Sequence, residues 1–364
     1  MAEPITTMPW RLERYRDGDE EAVLALFRTV FGKARSLEHW RWQFKANPYG
    51  GPFVSMARRE SDRLVVGSYS VMPVQLNLMG RAVLACQSVD TAVHPEHRGQ
   101  RLFETTASDC YAWCASAGLQ GVIGFPNSSS YPGFMRTLGW KRIVFPDQHL
   151  LRLGIGAALA RRTQIPVLPW IADAGYRLRR RIGLGSRRAL LRRLAGASLA
   201  FRVHDRVPAG WEALWNACRS LEVLSVWKDA KYMAWRYDQN PDHRFTYFAL
   251  HRAGGEVAAI AVGVELDGVL TLCELMVEGR DVPVGRWLAT EIGLHALSRG
   301  LRGVSFLGAD QGLFGEVFAG FAHERSYTNV FCGRAFGESD SGALAESLPH
   351  AANWTVTFGD GDFV

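Results

Sequence analysis

The stretch Val93-His94-Pro95-Glu96-His97-Arg98-Gly99-Gln100-Arg101-Leu102-Phe103 separates two patterns of different period. Residues 86–93 alternate as in a strand, whereas the residues from there to about position 117 have helical spacing. A short basic turn therefore leads from a strand into a helix. The free N–H groups of a helix N-terminus, together with the positive end of its dipole, attract anions. Because two arginines and a glycine lie beside them, the turn predicts a site for phosphate or pyrophosphate.

Composition excludes several classes of protein. The chain has 364 residues, of which 48% are hydrophobic, so it can bury a large core and form two domains. It contains no apolar run long enough to span a membrane, and residues 1–20 lack the apolar centre of a signal peptide. The six cysteines are scattered without a CxxC pair. We therefore expect free thiols, a cytoplasmic location and no metal site.

The turn resembles the pyrophosphate-binding turn of the GNAT superfamily of acyl-CoA-dependent N-acyltransferases, which reads R/Q-x-x-G-x-G/A after a strand ending in V-x-P. Arg98, Gly99 and the lead-in Val93-His94-Pro95 match that pattern. The family's second and third small residues are replaced here by Arg101 and Phe103, which narrows the conformations open to the turn. The resemblance implies acetyl-CoA or another acyl-CoA as the co-substrate.

A second landmark of the same family follows at its usual spacing. Asn127 comes after the short apolar run Gly121–Phe125, and a helical segment then ends in Leu138-Gly139-Trp140. The resemblance covers roughly residues 10–145. The tyrosine that often acts as the acid for the leaving thiolate is replaced by Met135. Tyr131 is the nearest hydroxyl, and it is either a substitute acid or an aromatic residue packed at the start of a helix.

The second half of the chain repeats the order of the first, which indicates a domain duplication. Trp235-Arg236-Tyr237 and Asn240-Pro241 echo Trp40-Arg41-Trp42 and Asn47-Pro48 with a spacing two residues shorter. The sequence thus predicts an α/β (α+β) protein with two tandem GNAT-like domains, each a mixed, mostly antiparallel sheet flanked by helices. The expected divisions are residues 1–150, a connector at 151–200, and residues 201–364.

The two copies differ at the turn. Where the first copy is basic, the second has Glu278-Gly279-Arg280-Asp281-Val282-Pro283, whose acids would repel an anion. We therefore expect only the first copy, residues 1–150, to bind the acyl donor, and the second, residues 201–364, to wall the acceptor site.

The candidate site residues fall into two groups. The resemblance implies that the backbone N–H groups before the turn hold the thioester carbonyl and that the turn holds the pyrophosphate. The residues implied for donor binding are Ala92, Val93, His97, Arg98, Gly99, Gln100, Arg101, Leu102 and Asn127.

Four residues are candidates for catalysis. Strand alternation places Gln87, Val89 and Thr91 on one face and Ser88, Asp90 and Ala92 on the other. Gln87 can orient a water or substrate, and Asp90 is either a base or a carboxylate bonded to nearby backbone. Alignment of the copies by their order puts Glu274 opposite Gln87. Glu274 is either part of an acceptor site between the copies or half of a structural salt bridge. Tyr131 is the fourth candidate.

The connector carries most of the positive charge. Residues 151–200 contain eleven arginines and one acid, a balance of +10, although the whole chain has only +6. Residues 177–194 combine leucines with arginines at helical spacing. This segment is either a foot on a membrane surface, a clamp on a phosphorylated substrate, or a solvated helix packed on the domains.

Three functions from different classes fit these observations. The first is an acyl-CoA N-acyltransferase acting on the amine of a small acceptor, since tandem GNAT folds resemble bacterial enzymes that acylate nucleotide-linked amino sugars in polysaccharide synthesis. The second is an aminoacyl-tRNA-dependent transferase of the peptidoglycan type, and the third is a non-catalytic binding protein. We favour the first, with no nucleic-acid partner, and leave a homodimer open.

Overall fold

The computed structural model describes residues 9–162, 165, 167–194, 198–310, 312–325, 330–336 and 342–362. Within these residues the chain forms two mixed sheets of mostly antiparallel strands, and helices pack on both sheets. The predicted fold class is confirmed.

The central strands of both sheets are buried along most of their length, and amphipathic helices such as that at Glu20–Phe31 pack an apolar face against the sheets. The strands are β1 (Trp10–Arg14), β2 (Phe53–Arg59), β3 (Val65–Leu78), β4 (Arg81–Val93), β5 (Gly121–Gly124), β6 (Lys141–Val144), β7 (Asp147–Arg152), β8 (Ala200–His204), β9 (Leu224–Val226), β10 (Phe245–His251), β11 (Val257–Leu266), β12 (Val269–Val277), β13 (Gly303–Ala309), β14 (Ala322–Arg325), β15 (Phe331–Ala335) and β16 (Val356–Thr357). The α-helices are α1 (Glu20–Phe31), α2 (Leu37–Trp40), α3 (Leu102–Ser116), α4 (Tyr131–Arg136), α5 (Gly156–Ala160), α6 (Leu168–Leu194), α7 (Trp211–Cys218), α8 (Ala230–Met233), α9 (Val282–Ser298), α10 (Leu313–Val317) and α11 (Ala343–Ser347).

Each sheet includes at least one strand from the other half of the chain. The first has the order β1-β2-β3-β4-β5-β15-β6, with β9 also on β3, and the second has the order β14-β7-β13-β12-β11-β10-β8, with β16 also on β13. The strand β15, from the second half of the chain, thus lies between β5 and β6, and β7, from the first half, lies between β13 and β14. The expected boundary at residue 150 falls inside β7. A change in sequence pattern marks where one copy ends, but it does not determine which sheet the next strand joins.

The duplication is present in the structure, but its alignment differs from the predicted one. The helices α2 and α8 are capped by Ser36 and Asp229 and continue into π-helical turns at Arg41–Lys45 and Ala234–Asp238. These features are 193 residues apart, as are Trp42 and Trp235. Trp42, rather than Trp40, is therefore the counterpart of Trp235, and the spacing of the motif is the same in both copies.

Several predicted elements have different bounds. The sequence pattern predicts two strands, at 64–71 and 74–78, where the structure has the single strand β3. It also predicts a helix over 211–224, whereas α7 ends at Cys218. The pattern also predicts a last strand over 326–336. The structure has β15 at Phe331–Ala335, and residues 326–329 lie outside the described part of the chain. Of the helices that the structure describes, none is long and apolar enough to cross a membrane.

A shared core joins the two copies. One cluster of buried side chains combines aromatic residues of both, including Trp40, Trp42, Trp211 and Trp235. The first sheet also packs on α3, and the second on α9, against which α6 lies. The copies therefore form one continuous hydrophobic core at their junction.

Candidate active site in the first copy

A cavity of about 690 Å³ opens where β4 and β5 separate. The parallel pairing of the two strands is limited to Cys86 with Val122 and Gln87 with Ile123, whereas β4 continues to Val93. The side of β4 that faces β5 is thus open beyond Gln87. The cavity walls are Phe27, Val30, Phe31, Arg35, Ser88, Val89, Asp90, Thr91, Val93, Arg98, Phe103, Gly124, Phe125, Pro126, Asn127, Ser129, Ser130, Gly133, Phe134, Trp140 and Asp362.

One end of the cavity is the basic turn before α3. Arg98 lines the cavity, Gly99 has φ +81°, and Arg101, which precedes the helix, has φ +57°. The left-handed conformation of Arg101 is one that glycine adopts without strain, at a position where the family has a small residue. No side chain of the described residues caps the start of α3. Its first N–H groups therefore remain available to an anion.

The other residues of the turn hold its shape. The ring of His97 is buried. It contacts Gln100 at 3.2 Å and Arg59 at 3.3 Å, and these contacts fix its position in the turn. The guanidinium of Arg101 lies outside the cavity, paired with Glu104 at 2.9 Å. These contacts give His97, Gln100 and Arg101 a structural role in the turn.

The expected donor-binding residues thus divide into two sets. Val93, Arg98 and Asn127 line the cavity. The others do not: they are Ala92, His97, Gly99, Gln100, Arg101 and Leu102. The side-chain oxygen of Asn127 accepts hydrogen bonds from the N–H groups of Ser129 and Ser130, at 3.0 Å each, and so holds the loop that leads into α4.

The other end of the cavity contains a buried ion pair. Asp90, with 7% of its side chain exposed, bonds to Arg35, and both line the cavity with Asp362. Burial raises the pKa of Asp90 to about 6, Arg35 opposes that rise, and the negative charge of Asp362 adds to it. Asp90 is therefore a stronger base than an ordinary aspartate and is still ionised at neutral pH.

A β-bulge aims this carboxylate. Ser68 of β3 pairs with Ala92 and Ser70 pairs with Val89, so Tyr69 faces two residues of β4, and Asp90 has φ +50°. The bulge also reverses the alternation. Cys86 packs with residues of α3, whereas Ala92 packs with residues of α1. The expectation that Ser88, Asp90 and Ala92 share one face is therefore wrong for Ala92, because an inserted residue shifts the period by one.

Three expected catalytic residues lie outside the cavity. Gln87 is buried in the sheet, and its Nε2 has no hydrogen-bond partner within the described residues. Tyr131 is partly buried and packs with the α3 side of the core. Glu274, 2% exposed, bonds to Lys228, to Thr357 at 2.9 Å and to Tyr237 at 2.6 Å. The structure thus gives Glu274 the structural ion pair that was the alternative, with Lys228 rather than a connector arginine as partner.

Each copy has an ion pair at the equivalent position of its fold. Asp90 and Glu274 each lie three residues before the end of their strand, and Arg35 and Lys228 each directly precede the residue that caps the next helix. Glu274 is thus the counterpart of Asp90, not of Gln87. The alignment by sequence order failed because it did not bring the ends of the two strands into register.

The first of these ion pairs lines a cavity, whereas the C-terminal segment covers the second. In the second copy β16 pairs with β13, and the following turn, residues 358–360, lies against β12 and places Asp360 3.0 Å from Lys228. Arg236 holds this segment through the carbonyls of Gly359 and Gly361. The C-terminal segment therefore fills the space between β12 and β13 and then brings Asp362 to the first cavity.

The turn of the second copy is also unsuited to an anion. Four residues, 278–281, join β12 to α9, whereas eight, 94–101, join β4 to α3. Asp281 accepts a hydrogen bond from the N–H of Val284 at 3.1 Å, so this helix start is already capped. Arg280 pairs with Asp310, and Glu278 pairs with Arg252. In this turn the arginine is thus paired and the helix start is capped, whereas the start of α3 has no side-chain cap among the described residues.

Sequence reasoning missed several residues of the cavity. Arg35 and Asp362 lie far from β4 in the sequence, and no local pattern marks them. Ser88 and Thr91 were noted only for the direction of their side chains. The hydroxyl of Thr91 is buried and has no hydrogen-bond partner within the described residues. Such a group at the wall of a cavity is a natural contact for a ligand.

Comparisons with known proteins agree with this geometry. The family model described as an acetyltransferase (GNAT) domain matches residues 11–143. No curated protein sequence matches the chain.

Solved structures match over most of the chain. A probable N-acyltransferase from Enterococcus faecalis V583 has TM-score 0.61 and 11% identity over 90% of this chain and 73% of that one. A GCN5-related N-acetyltransferase from Kribbella flavida has TM-score 0.59 and 16% identity over 90% and 71%. Saccharomyces cerevisiae N-myristoyltransferase with bound myristoyl-CoA has TM-score 0.56 and 11% identity over 92% and 84%. Residues 11–143 are thus similar to a GNAT acetyltransferase domain, and the chain has the fold of these solved structures.

Proposed function

We propose that the protein is an acyl-CoA-dependent N-acyltransferase that works in the cavity of the first copy. The observation that carries the proposal is that one cavity joins Arg98, at the uncapped start of α3, to the Asp90 carboxylate. An anion site and a base are the two functions that acyl transfer from a phosphate-containing thioester to an amine requires.

The donor end fits a CoA pyrophosphate. Arg98 supplies a positive charge, the first turn of α3 supplies N–H groups, and the unpaired edge of β4 supplies backbone donors near Val93. Acyl-CoA bound there supplies the thioester, whose acyl carbon bonds to the amine nitrogen as the carbon–sulfur bond breaks and CoA leaves. The orphan hydroxyl of Thr91 can donate a hydrogen bond to the ligand.

The acid end fits an amine. The carboxylates of Asp90 and Asp362 attract an ammonium group, and Arg35 limits the net charge to about −1. With its pKa near 6, Asp90 can accept the ammonium proton at neutral pH. An amine that titrates near roughly 8 suits this base better than a lysine side chain, which titrates near roughly 10.4. This favours a small acceptor such as an amino sugar. We propose a nucleotide-linked amino sugar as the acceptor and acetyl-CoA as the donor.

A turnover assay with several acceptors tests the proposal. Release of CoA thiol is followed with acetyl-CoA and four kinds of acceptor: a free amino sugar, a nucleotide-linked amino sugar, a lysine peptide and aminoacyl-tRNA. We expect release with an amino sugar and none with the peptide. Release with aminoacyl-tRNA alone would favour the peptidoglycan-type transferase. Binding of acetyl-CoA without release for any acceptor, including water, would favour a binding protein.

A further inference from the structure

The outer face of α6 carries a stripe of exposed aliphatic side chains. Ile171, Leu178 and Ile182 are spaced seven and four residues apart, so they lie on one side of the helix, and their exposed fractions are 58%, 60% and 63%. The opposite side, with Leu184 and Leu191, is buried against the second copy. The helix therefore has two apolar sides, of which one has no covering element in the described part of the chain.

Arginines border the exposed stripe. Arg179, Arg181 and Arg193 are exposed and lie beside it on the helix surface, whereas no acid of α6 follows Asp173. Trp170, at the start of the helix, is 74% exposed. Aliphatic residues flanked by arginines, with a tryptophan at the edge, are the pattern of a helix that lies in the interface of a membrane.

Other arginines of α6 are already used by the fold. Arg187 donates to the carbonyl of Ala319 at 2.8 Å, and Arg188 and Arg192 lie 3.6 and 3.8 Å from Glu291. These three fix α6 on the second copy. They leave the outward arginines to meet a partner, so a variant that removed Arg187, Arg188 and Arg192 would test packing rather than binding.

We propose that the outer face of α6 docks on a membrane surface containing anionic lipids. The aliphatic side chains enter the headgroup boundary while the arginines bind lipid phosphates. An RNA partner would use the arginines but gives no role to three exposed aliphatic side chains in line. The docking surface belongs to α6 and is separate from the residues that line the first cavity.

Co-sedimentation with vesicles tests the proposal. The full chain is mixed with phosphatidylcholine vesicles, with and without 30% phosphatidylglycerol, at low and at high salt. We expect binding only with the anionic lipid, weakened by salt. Replacing Arg179, Arg181 and Arg193 by Gln should weaken binding on the order of a hundredfold, about fivefold per arginine. Replacing Ile171, Leu178 and Ile182 by Ser should abolish it.

Two controls keep the test sharp. Replacing Arg16, Arg81 and Arg206, which are exposed on other elements, by Gln should change vesicle binding little. Brominated lipids should quench fluorescence of the unmodified protein more than that of Trp170→Phe, a comparison that does not depend on how the other variants fold. The proposal is overturned if the unmodified chain does not bind anionic vesicles at low salt. Normal binding by the Ile171, Leu178 and Ile182 variant, or tighter binding to single-stranded RNA than to vesicles, would also overturn it.

Discussion

Trp42 and Trp235 exchange hydrogen bonds, since the indole N–H of each donates to the backbone carbonyl of the other, at 2.8 and 2.9 Å. Their rings stack with centroids 5.4 Å apart. Reciprocal contacts of this kind are typical of two residues related by a twofold axis. The two copies are therefore joined as a symmetric dimer is, although they belong to one chain and have diverged at the site.

Replacing Trp42 by Phe should lower the free energy of unfolding by about 1–3 kcal/mol, because the buried carbonyl of Trp235 loses its donor. Chemical denaturation measures the change. Trp170→Phe, at a position 74% exposed, should stay within about 0.5 kcal/mol. If both variants were equally stable, the junction would not depend on this contact.

Asp90→Asn should reduce kcat by about 10²–10⁴-fold at neutral pH, because it removes the base but keeps the shape of the side chain. In the unmodified protein the pKa of Asp90, raised to about 6, predicts that kcat/KM falls as pH drops through that value. A profile that stays flat down to pH 5 would mean that Asp90 is not the base.

Asp362→Asn should move the acid limb of that profile to lower pH. The negative charge of Asp362 helps to raise the pKa of Asp90, so its removal lets Asp90 ionise at lower pH. Asp205→Asn, an exposed change on another part of the surface, is the control and should leave the limb in place. A shift to higher pH would contradict the assigned geometry.

Glu274→Gln should lower the free energy of unfolding by about 1–3 kcal/mol while leaving kcat and CoA affinity unchanged. The carboxylate is buried with Lys228, and Asp360 remains to compensate the lysine in part. Glu265→Gln, whose ion pair with Arg299 is exposed, is the matched control and should change stability little. Loss of turnover at unchanged stability would instead mean that Glu274 is part of the acceptor site.

Local patterns predicted the donor end of the site better than the acid end. The change of period at Val93 lies close to Arg98 and Gly99 in the sequence. The turn could therefore be predicted from a single short stretch of the chain. Asp90 was found because it is the only carboxylate of its strand. Its partners Arg35 and Asp362 approach it through tertiary packing, which no local pattern encodes.

Other features of the fold were beyond the reach of sequence patterns. The bulge at Asp90 inserts one residue and reverses the faces of β4, and a period of two cannot register such an insertion. The exchange of β7 and β15 depends on which sheet each strand joins, because a strand can form its backbone hydrogen bonds in either sheet.

Titration calorimetry with CoA measures directly whether the first copy alone binds the acyl donor. We expect one site per chain. Arg98→Ala should weaken binding by about 1.5–3 kcal/mol, roughly tenfold to a hundredfold or more, because a charge-assisted phosphate contact is lost. Arg280→Ala, in the corresponding turn of the second copy, should leave affinity unchanged. Two sites per chain, equal losses of affinity from both variants, or no binding of CoA would show that the first copy is not the sole donor site.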